Sequence, residues 1–208
     1  MEIRDRNGLT EAEFLACYQQ KDYPRPSLTV DIVVFKCVSG PQPESVQVLL
    51  VKRGGHPFLG CWAFPGGFVN PDEDADAAAA RELVEETGVS GLKAHQLGLF
   101  SAPGRDPRGW TVSEAYAARV ADGASVKAGD DADDAQWFDL EVARRDDGLV
   151  ALRATWRDVT LSALACFEEG GGVLPDVHVV EASGLAFDHA DILAHAVAYQ
   201  AKLEGWQL

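Results

Sequence analysis

Residues 66–89 read GGFVNPDEDADAAAARELVEETGV and place four glutamates and one arginine in a loop and a helix of about four turns. Side chains three and four positions apart share one face of a helix, so Glu82, Glu85 and Glu86 are expected on one side. The small and aliphatic side chains between them are expected to face the protein interior: Ala79, Ala80, Leu83 and Thr87. The pattern therefore predicts an amphipathic helix with a crowded acidic face.

The crowded carboxylates suggest a cation site. Carboxylates this close raise one another's pKa, and a hard divalent cation such as Mg²⁺ relieves their repulsion. The alternative is an acidic helix face that simply lies in water. The fixed pattern is longer than the three glutamates, however: five residues separate Gly67 from Glu73, seven more lead to Arg81-Glu82, and Glu85-Glu86 and Gly88 follow. This length favours the metal site.

This spacing resembles the complete signature box of the Nudix hydrolases, here at residues 67–89. The likeness extends over most of the chain, which is similar in appearance to bacterial and archaeal ADP-ribose pyrophosphatases. It implies an α+β fold, the Nudix α/β/α sandwich, in which a mixed β-sheet lies between helices. We expect residues 1–208 to form a single Nudix hydrolase domain.

Local patterns predict the remaining elements. Thr10 and Glu13 form a capping-box signature, which predicts an N-terminal helix over about residues 11–20. The run at 28–38 is rich in β-branched residues and predicts a strand, and further strands are expected at 46–52, 92–100, 111–120 and 136–138. Residues 152–167 and 173–181 predict an extra hairpin within an insertion of about residues 145–183, although the first arm could be partly helical.

The end of the chain predicts a final helix. Asp188 is expected to cap it, and it should run to about residue 203. Its apolar residues recur at helical spacing and are expected to form an inner stripe: Ile192, Leu193, Ala196, Val197 and Leu203.

Composition limits the partners. The net charge of −15 argues against a nucleic-acid groove, which needs clustered Lys and Arg. No apolar run approaches the ~20 residues of a membrane span. The cysteines have neither CxxC nor zinc-ribbon spacing, and we expect them to be reduced in a cytoplasmic protein: Cys17, Cys37, Cys61 and Cys166. Because enzymes of the ADP-ribose type are often dimers, the resemblance also allows a homodimer.

The resemblance implies roles for the box residues. Glu82 and Glu86 would be inner-sphere ligands of Mg²⁺, for which Mn²⁺ can substitute, and Glu85 would be a further ligand or a water-mediated partner. A main-chain carbonyl at the double glycine, of Gly66 or Gly67, often joins them in the family. Arg81 and Glu73 would form an ion pair that fixes the loop against the helix.

The general base is less defined, because Nudix enzymes take it either from the box or from an acidic residue on a later loop. Residues 129–134 form an acidic loop, in which Asp131 is the favoured candidate beside Asp130 and Asp133. Glu114 on a predicted strand is a second candidate. A solvated acidic turn is the alternative interpretation of the loop.

Substrate-binding residues are expected among the arginines. Residues 101–109 look like a loop of some ADP-ribose pyrophosphatases that carries an Arg-x-x-Arg segment, so Arg105 and Arg108 could hold phosphate or ribose. Arg53 could also face the substrate, and a proline-rich surface turn is the alternative for 101–109. Three aromatic residues are available to stack on a base, or to fill the core: Phe58, Trp62 and Trp110.

The sequence thus predicts Mg²⁺-dependent hydrolysis of a nucleoside diphosphate linked to another moiety, with ADP-ribose giving AMP and ribose 5-phosphate. An alternative is a nucleotide-sanitising (d)NTP or dinucleoside-polyphosphate hydrolase. A non-catalytic ADP-ribose sensor is an alternative of another class, because residues 23–31 and 187–190 look similar to parts of Nudix-related regulators of NAD metabolism. Those regulators usually carry a degraded box, and the complete box here favours an enzyme.

Overall fold

A computed structural model describes residues 2–38, 45–120, 135–168 and 174–204. Within these ranges the chain forms three helices: α1 (Glu11–Cys17), α2 (Ala75–Thr87) and α3 (His189–Glu204). It also forms ten strands: β1 (Ser27–Val38), β2 (Ser45–Lys52), β3 (Trp62–Ala63), β4 (Gly66–Phe68), β5 (His95–Phe100), β6 (Thr111–Val120), β7 (Ala135–Arg144), β8 (Val150–Trp156), β9 (Val159–Glu168) and β10 (Asp176–Ser183).

The strands form one mixed sheet. Its order is β10-β9-β8-β7-β2-β1-β6-β5, while β3 pairs with β2 and β4 pairs with β1. β1 and β6 run parallel, and the other described pairs are antiparallel. Side chains of α2 and α3 belong to two separate apolar clusters. The predicted α+β fold, a mixed sheet between helices, is confirmed.

The central strand β1 separates these two clusters. Successive side chains of a strand point to opposite faces, so its alternate residues serve different layers. Val30 and Ile32 pack with Leu83 of α2 in one cluster. Val33 packs with Ile192 of α3 in the other. Because β1 is buried on both faces, it reads as a nearly continuous apolar run, and Asp31 is a conspicuous exception within it.

The first two helices begin and end at recognisable caps. α1 begins at the reciprocal Thr10–Glu13 capping box but ends at Cys17 rather than at residue 20. None of its residues is buried, so packing does not stabilise a further turn. α2 ends at Gly88, whose φ of 69° suits glycine. The inward face predicted for α2 was wrong at Ala80, which is exposed at the rim of a groove, whereas Ala78 is buried.

The extra segment contains three strands rather than a two-armed hairpin. Residues 152–167 do not form one arm, because β8 and β9 pair with each other up to Trp156 and Val159 around a two-residue turn. The partly helical alternative was wrong, since residues 161–165 alternate between buried and less buried positions in β9. The turn carries Arg157 at a φ of 49° and contains neither glycine nor proline, so the usual signals of a turn are absent from it.

The final helix α3 follows Asp188, as predicted. The Asp188 carboxylate accepts hydrogen bonds from Arg105, however, instead of serving only the helix end. Four of the five predicted inner residues are buried, but Leu203 is 60% exposed, so the stripe ends one turn earlier. None of the helices in the described ranges is long and apolar enough to cross a membrane.

Replacing the buried Ile192 by alanine should lower the free energy of unfolding by about 2–4 kcal/mol, because it removes buried methyl groups and leaves a cavity. Leu203→Ala on the same helix should change it by less than about 0.5 kcal/mol, because this side chain is exposed. Urea unfolding followed by circular dichroism measures both. An equal decrease in the free energy of unfolding of the two variants would contradict the exposed position of Leu203.

Candidate active site

The site is built around the two glycines of β4. Gly66 pairs with Asp31 of β1, and Gly67 pairs with Val30. A Cβ atom on Gly66 would lie 2.1 Å from the Val30 carbonyl oxygen, and one on Gly67 would lie 2.3 Å from Glu82 Oε1. Neither position has room for a side chain. The backbone therefore passes closely between β1 and the acidic face of α2.

Glu86 of α2 reaches this backbone directly. The Gly66 N–H donates a hydrogen bond of 3.1 Å to Glu86 Oε2. Burial, together with the negative charges of Glu82 and Asp31, raises the pKa of Glu86 to about 7, although the Gly66 hydrogen bond and the charge of Arg53 act in the opposite direction. Glu86 thus lies in a region of excess negative potential.

Arg81 ties the acidic helix to the preceding loop. It forms ion pairs with Glu73 at 2.6 Å, Glu82 at 2.7 Å and Glu85 at 3.1 Å, and donates to the Phe68 carbonyl. The hydrogen bonds from Arg81 are the main reason that the pKa of Glu73 falls to about 2. The ion pair expected between residues 73 and 81 is therefore present, and it extends to the glutamates of the helix.

The carboxylates fit a divalent cation unequally. Glu82 and Glu86 suit a hard cation, because Glu86 has no ion pair among the described residues and feels the charge of Glu82. Glu85 is different: its side chain is 57% exposed and turned toward Arg81. The described residues include no group of three or more His, Cys, Asp or Glu side chains already spaced for a metal. The fit therefore rests on the pair Glu82 and Glu86.

A pocket of about 230 Å³ opens beside the double glycine. Arg53 and Arg108 line its wall. Arg108 is paired with Asp106 at 2.7 Å, whereas Arg53 has no ion pair in the described part of the chain and donates only to the Pro57 carbonyl, at 2.8 Å. Burial and the charge of Arg108 lower the pKa of Arg53. Arg53 thus presents a largely unneutralised positive charge to the pocket.

Arg105 lines the same pocket but has different contacts. Its side chain is only 4% exposed and donates two hydrogen bonds to Asp188, at 2.7 and 2.6 Å. Its guanidinium also lies 3.6 Å from Asp31. The structure therefore holds Arg105 in an internal ion pair, and not in the free orientation expected of a residue that grips a substrate.

Two pocket residues were missed by the sequence analysis. His189 Nδ1 accepts a hydrogen bond from the Phe64 N–H, which leaves Nε2 as the protonated nitrogen, 3.4 Å from Asp31. Phe187, with a φ of 51°, also lines the pocket. Both belong to residues 187–190, and the similarity of that segment to Nudix-related regulators was the one signal that could have identified them.

The candidate bases and stacking residues are placed less favourably. Asp131, Asp130 and Asp133 lie outside the described residues. Glu114 is partly buried, on the face of β6 opposite to Ser113. Of the aromatic candidates, Trp62 is in the core, Trp110 is exposed and the Phe58 ring packs against Phe187.

The fold and the site together define an α/β/α sandwich protein with an acidic helix behind a double-glycine strand. The NUDIX domain model matches residues 27–158. The chain belongs to the Nudix hydrolase family.

Known relatives cover part of the chain. The ADPR responsive transcriptional repressor NtrR of Acinetobacter baylyi is 37% identical over 139 residues, which are 66% of this chain and 54% of that protein. An ADP-ribose pyrophosphatase of Methanocaldococcus jannaschii is 42% identical over 118 residues, which are 57% of this chain and 64% of that protein. The chain therefore spans less than two thirds of the length of either relative.

Solved structures show the same fold. A MutT/nudix family protein from Enterococcus faecalis has a TM-score of 0.73 and 35% identity, covering 94% of this chain and 70% of that one. The NUDIX domain of Shewanella oneidensis NrtR, complexed with ADP ribose, has a TM-score of 0.52 and 36% identity, covering 62% and 82%. The first of these alignments extends well beyond residues 27–158.

The two glycines should respond differently to alanine. Gly66→Ala should destabilise the fold by about 3 kcal/mol, because the new Cβ meets the backbone of β1, which cannot move without opening the β1–β4 pairing. Gly67→Ala should keep the fold but displace the Glu82 carboxylate, and so weaken Mn²⁺ binding by about tenfold. Urea unfolding and Mn²⁺ titration by electron paramagnetic resonance measure the two effects, and the reverse assignment would contradict the geometry.

Glu86 should make the metal-free protein less stable as the pH rises. Its folded pKa, about 7, exceeds the ordinary value of 4.5, so the folded state binds the proton more tightly, and stability falls from about pH 4.5 to about pH 7. Glu86→Gln should remove this fall, a relative gain of about 2–3 kcal/mol at pH 8. Urea unfolding in EDTA at pH 5 and pH 8 tests it. The exposed Glu85→Gln is the control, and a Glu86→Gln variant with the wild-type pH dependence would contradict the prediction.

Proposed function

We propose that this protein is a Mg²⁺-dependent hydrolase that cleaves a nucleoside diphosphate linked to another moiety. ADP-ribose is the proposed substrate, with AMP and ribose 5-phosphate as products. One observation carries the proposal: Glu82 and Glu86 lie against the double glycine, and the pocket that this double glycine lines also contains Arg53, which has no ion pair in the described part of the chain. When a cation and a diphosphate bind together, the cation needs carboxylate ligands from the protein and the phosphates need positive groups.

In this proposal the carboxylates bind the metal ion and the arginines bind the phosphates. Glu82 and Glu86 hold Mg²⁺, or Mn²⁺ in its place, with Glu85 as a further, water-mediated partner and a carbonyl of Gly66 or Gly67 completing the set. The bound ion would neutralise phosphate charge and lower the pKa of a bound water. Arg81 and Glu73 hold the loop and helix in register and do not take part in the chemistry.

The proposed substrate contacts come from two arginines. Arg53 and Arg108 receive the two phosphates, since guanidinium groups bind phosphate oxygens in a forked geometry. Arg105 shapes the wall instead, because Asp188 already occupies its donors. Asp131 remains the predicted general base.

The relatives support the choice of ADP-ribose. The archaeal relative is an ADP-ribose pyrophosphatase, and the Shewanella domain was crystallised with ADP ribose. The relatives support ADP-ribose as the class of ligand. The arginines of the pocket support a ligand that contains a diphosphate group.

A non-catalytic ADP-ribose sensor is the second candidate. It is favoured by the likeness to a repressor that is ADPR responsive. Against it stand the complete box and the Glu82–Glu86 pair beside the pocket, which binding alone does not require. In a sensor, ADP-ribose would bind and AMP would not be released.

The wider organisation is also part of the proposal. We treat residues 1–208 as one Nudix unit, because β8–β10 extend the sheet and α3 packs on the same core cluster as β1 and β2. The homodimer, the exclusion of nucleic acid and the cytoplasmic location remain predictions from the sequence.

Incubation of the purified protein with ADP-ribose and Mg²⁺ should release AMP, measured by anion-exchange chromatography. Glu82→Gln and Glu86→Gln should each lower kcat by at least about 100-fold, because the metal ligands are lost, whereas binding of ADP-ribose by calorimetry should persist. Glu85→Gln should lower kcat by a smaller factor, because the Glu85 carboxylate is turned toward Arg81. Asp72→Asn is a control with the same charge change at an exposed loop position.

Each outcome decides something. Binding without AMP release in the wild type would select the sensor. If the wild type neither binds ADP-ribose nor releases AMP, ADP-ribose is rejected as the substrate. If NADH and diadenosine polyphosphates are not hydrolysed either, the proposed reaction is rejected.

A further inference from the structure

Phe187 contacts both arginines of the pocket. The Arg53 guanidinium carbon lies 4.8 Å from the centre of its ring, and that of Arg108 lies 5.6 Å away. Cations at these distances are attracted to the electron-rich face of an aromatic ring. A single side chain, from a segment outside the region that the family model matches, therefore touches both positive groups.

The two arginines depend on Phe187 to different degrees. Arg108 also forms its ion pair with Asp106 and lies 5.2 Å from the centre of the Phe68 ring. Arg53 has neither support: its described contacts are the Pro57 carbonyl and the Phe187 ring. The Arg53 guanidinium is therefore held by this one hydrogen bond and by the Phe187 ring.

The backbone of Phe187 is held in an uncommon conformation. Its φ of 51° lies in the left-handed region, which bulky side chains rarely adopt. The neighbouring residues fix it: Ala186 N–H donates to the Trp62 carbonyl, Asp188 pairs with Arg105, and His189 accepts from Phe64. Strain of this kind persists where the surroundings enforce it, often at binding sites.

We propose that Phe187 is a specificity-determining residue that holds Arg53 beside Arg108, so that the pocket prefers a ligand with two linked phosphates to a ligand with one. This inference rests on the proposed function, because it assumes that the pocket receives a diphosphate. Two neighbouring guanidinium groups repel each other, and a ring that attracts both keeps them together before the anion arrives. Phe187 is a positioning residue and makes no contact with the reacting atoms.

Calorimetry with α,β-methylene-ADP and with AMP, both in Mg²⁺ buffer, tests the proposal. Phe187→Leu keeps the apolar volume but removes the aromatic face, and should weaken binding of α,β-methylene-ADP by about tenfold and that of AMP by less than about threefold. For ADP-ribose, KM should rise more than kcat falls. Phe187→Tyr keeps the face and should restore binding, which a general packing defect would not explain.

A double-mutant cycle makes the test specific. In an Arg53→Gln background, Phe187→Leu should weaken α,β-methylene-ADP binding by less than about threefold, because its main partner is already absent. Phe14→Leu is the matched control, since Phe14 is a partly exposed aromatic residue of α1 that lies outside the pocket lining. It should bind like the wild type. If leucine prevents folding, Phe187→Asn removes the ring with a residue that tolerates this backbone.

The outcomes separate this inference from the proposed function. If the wild type binds α,β-methylene-ADP and Phe187→Leu binds it equally well, only the inference fails. The same holds if Phe187→Tyr behaves like Phe187→Leu, if Phe14→Leu shows the same loss, or if the effects of the Arg53 and Phe187 changes simply multiply. If the wild type does not bind α,β-methylene-ADP, both fail.

Discussion

The close approach of the β4 backbone to its neighbours is the constraint on which the rest of the site depends. Gly66 and Gly67 have no side chains, so the strand fits between the carbonyls of β1 and the carboxylates of α2. The Gly66 N–H can then reach Glu86, and the Glu82 carboxylate occupies the space that a Cβ would need. A larger residue at position 66 would force the β4 backbone away from β1, and one at position 67 would displace the Glu82 carboxylate from its place beside the strand.

The net charge of the chain does not show how unevenly charge is distributed around the pocket. The chain has a net charge of −15, yet one wall of the pocket carries Arg53 and Arg108. Glu82 and Glu86 lie behind the double glycine that lines the same pocket, and within the described residues Glu82 pairs with Arg81 while Glu86 has no ion pair. A polyanion is therefore repelled by the net negative charge of the protein and attracted by the arginines of the pocket. The carboxylates nearby can also bind a cation.

The fold and the box helix could be predicted because their signals are local. Capping at Thr10, the helix end at Gly88 and the apolar run of β1 follow from neighbouring residues. The pocket wall could not be predicted in the same way, because His189 meets Phe64 across 125 positions of sequence. The partner of Arg105 could not be predicted for a related reason, because Asp188 lies 83 positions away in the sequence.

The order of the segments has a consequence for how this protein can be divided. The matched family region ends at residue 158, but Phe187 and His189, which line the pocket, and Asp188, which holds Arg105, come from beyond it. A fragment cut at that boundary would keep every residue of the box and lose one wall of the cavity. The box is thus continuous in sequence, whereas the pocket is formed by residues from both sides of the boundary. In the proposed function, C-terminal segments exchanged between homologues would therefore alter ligand preference while the box stays the same.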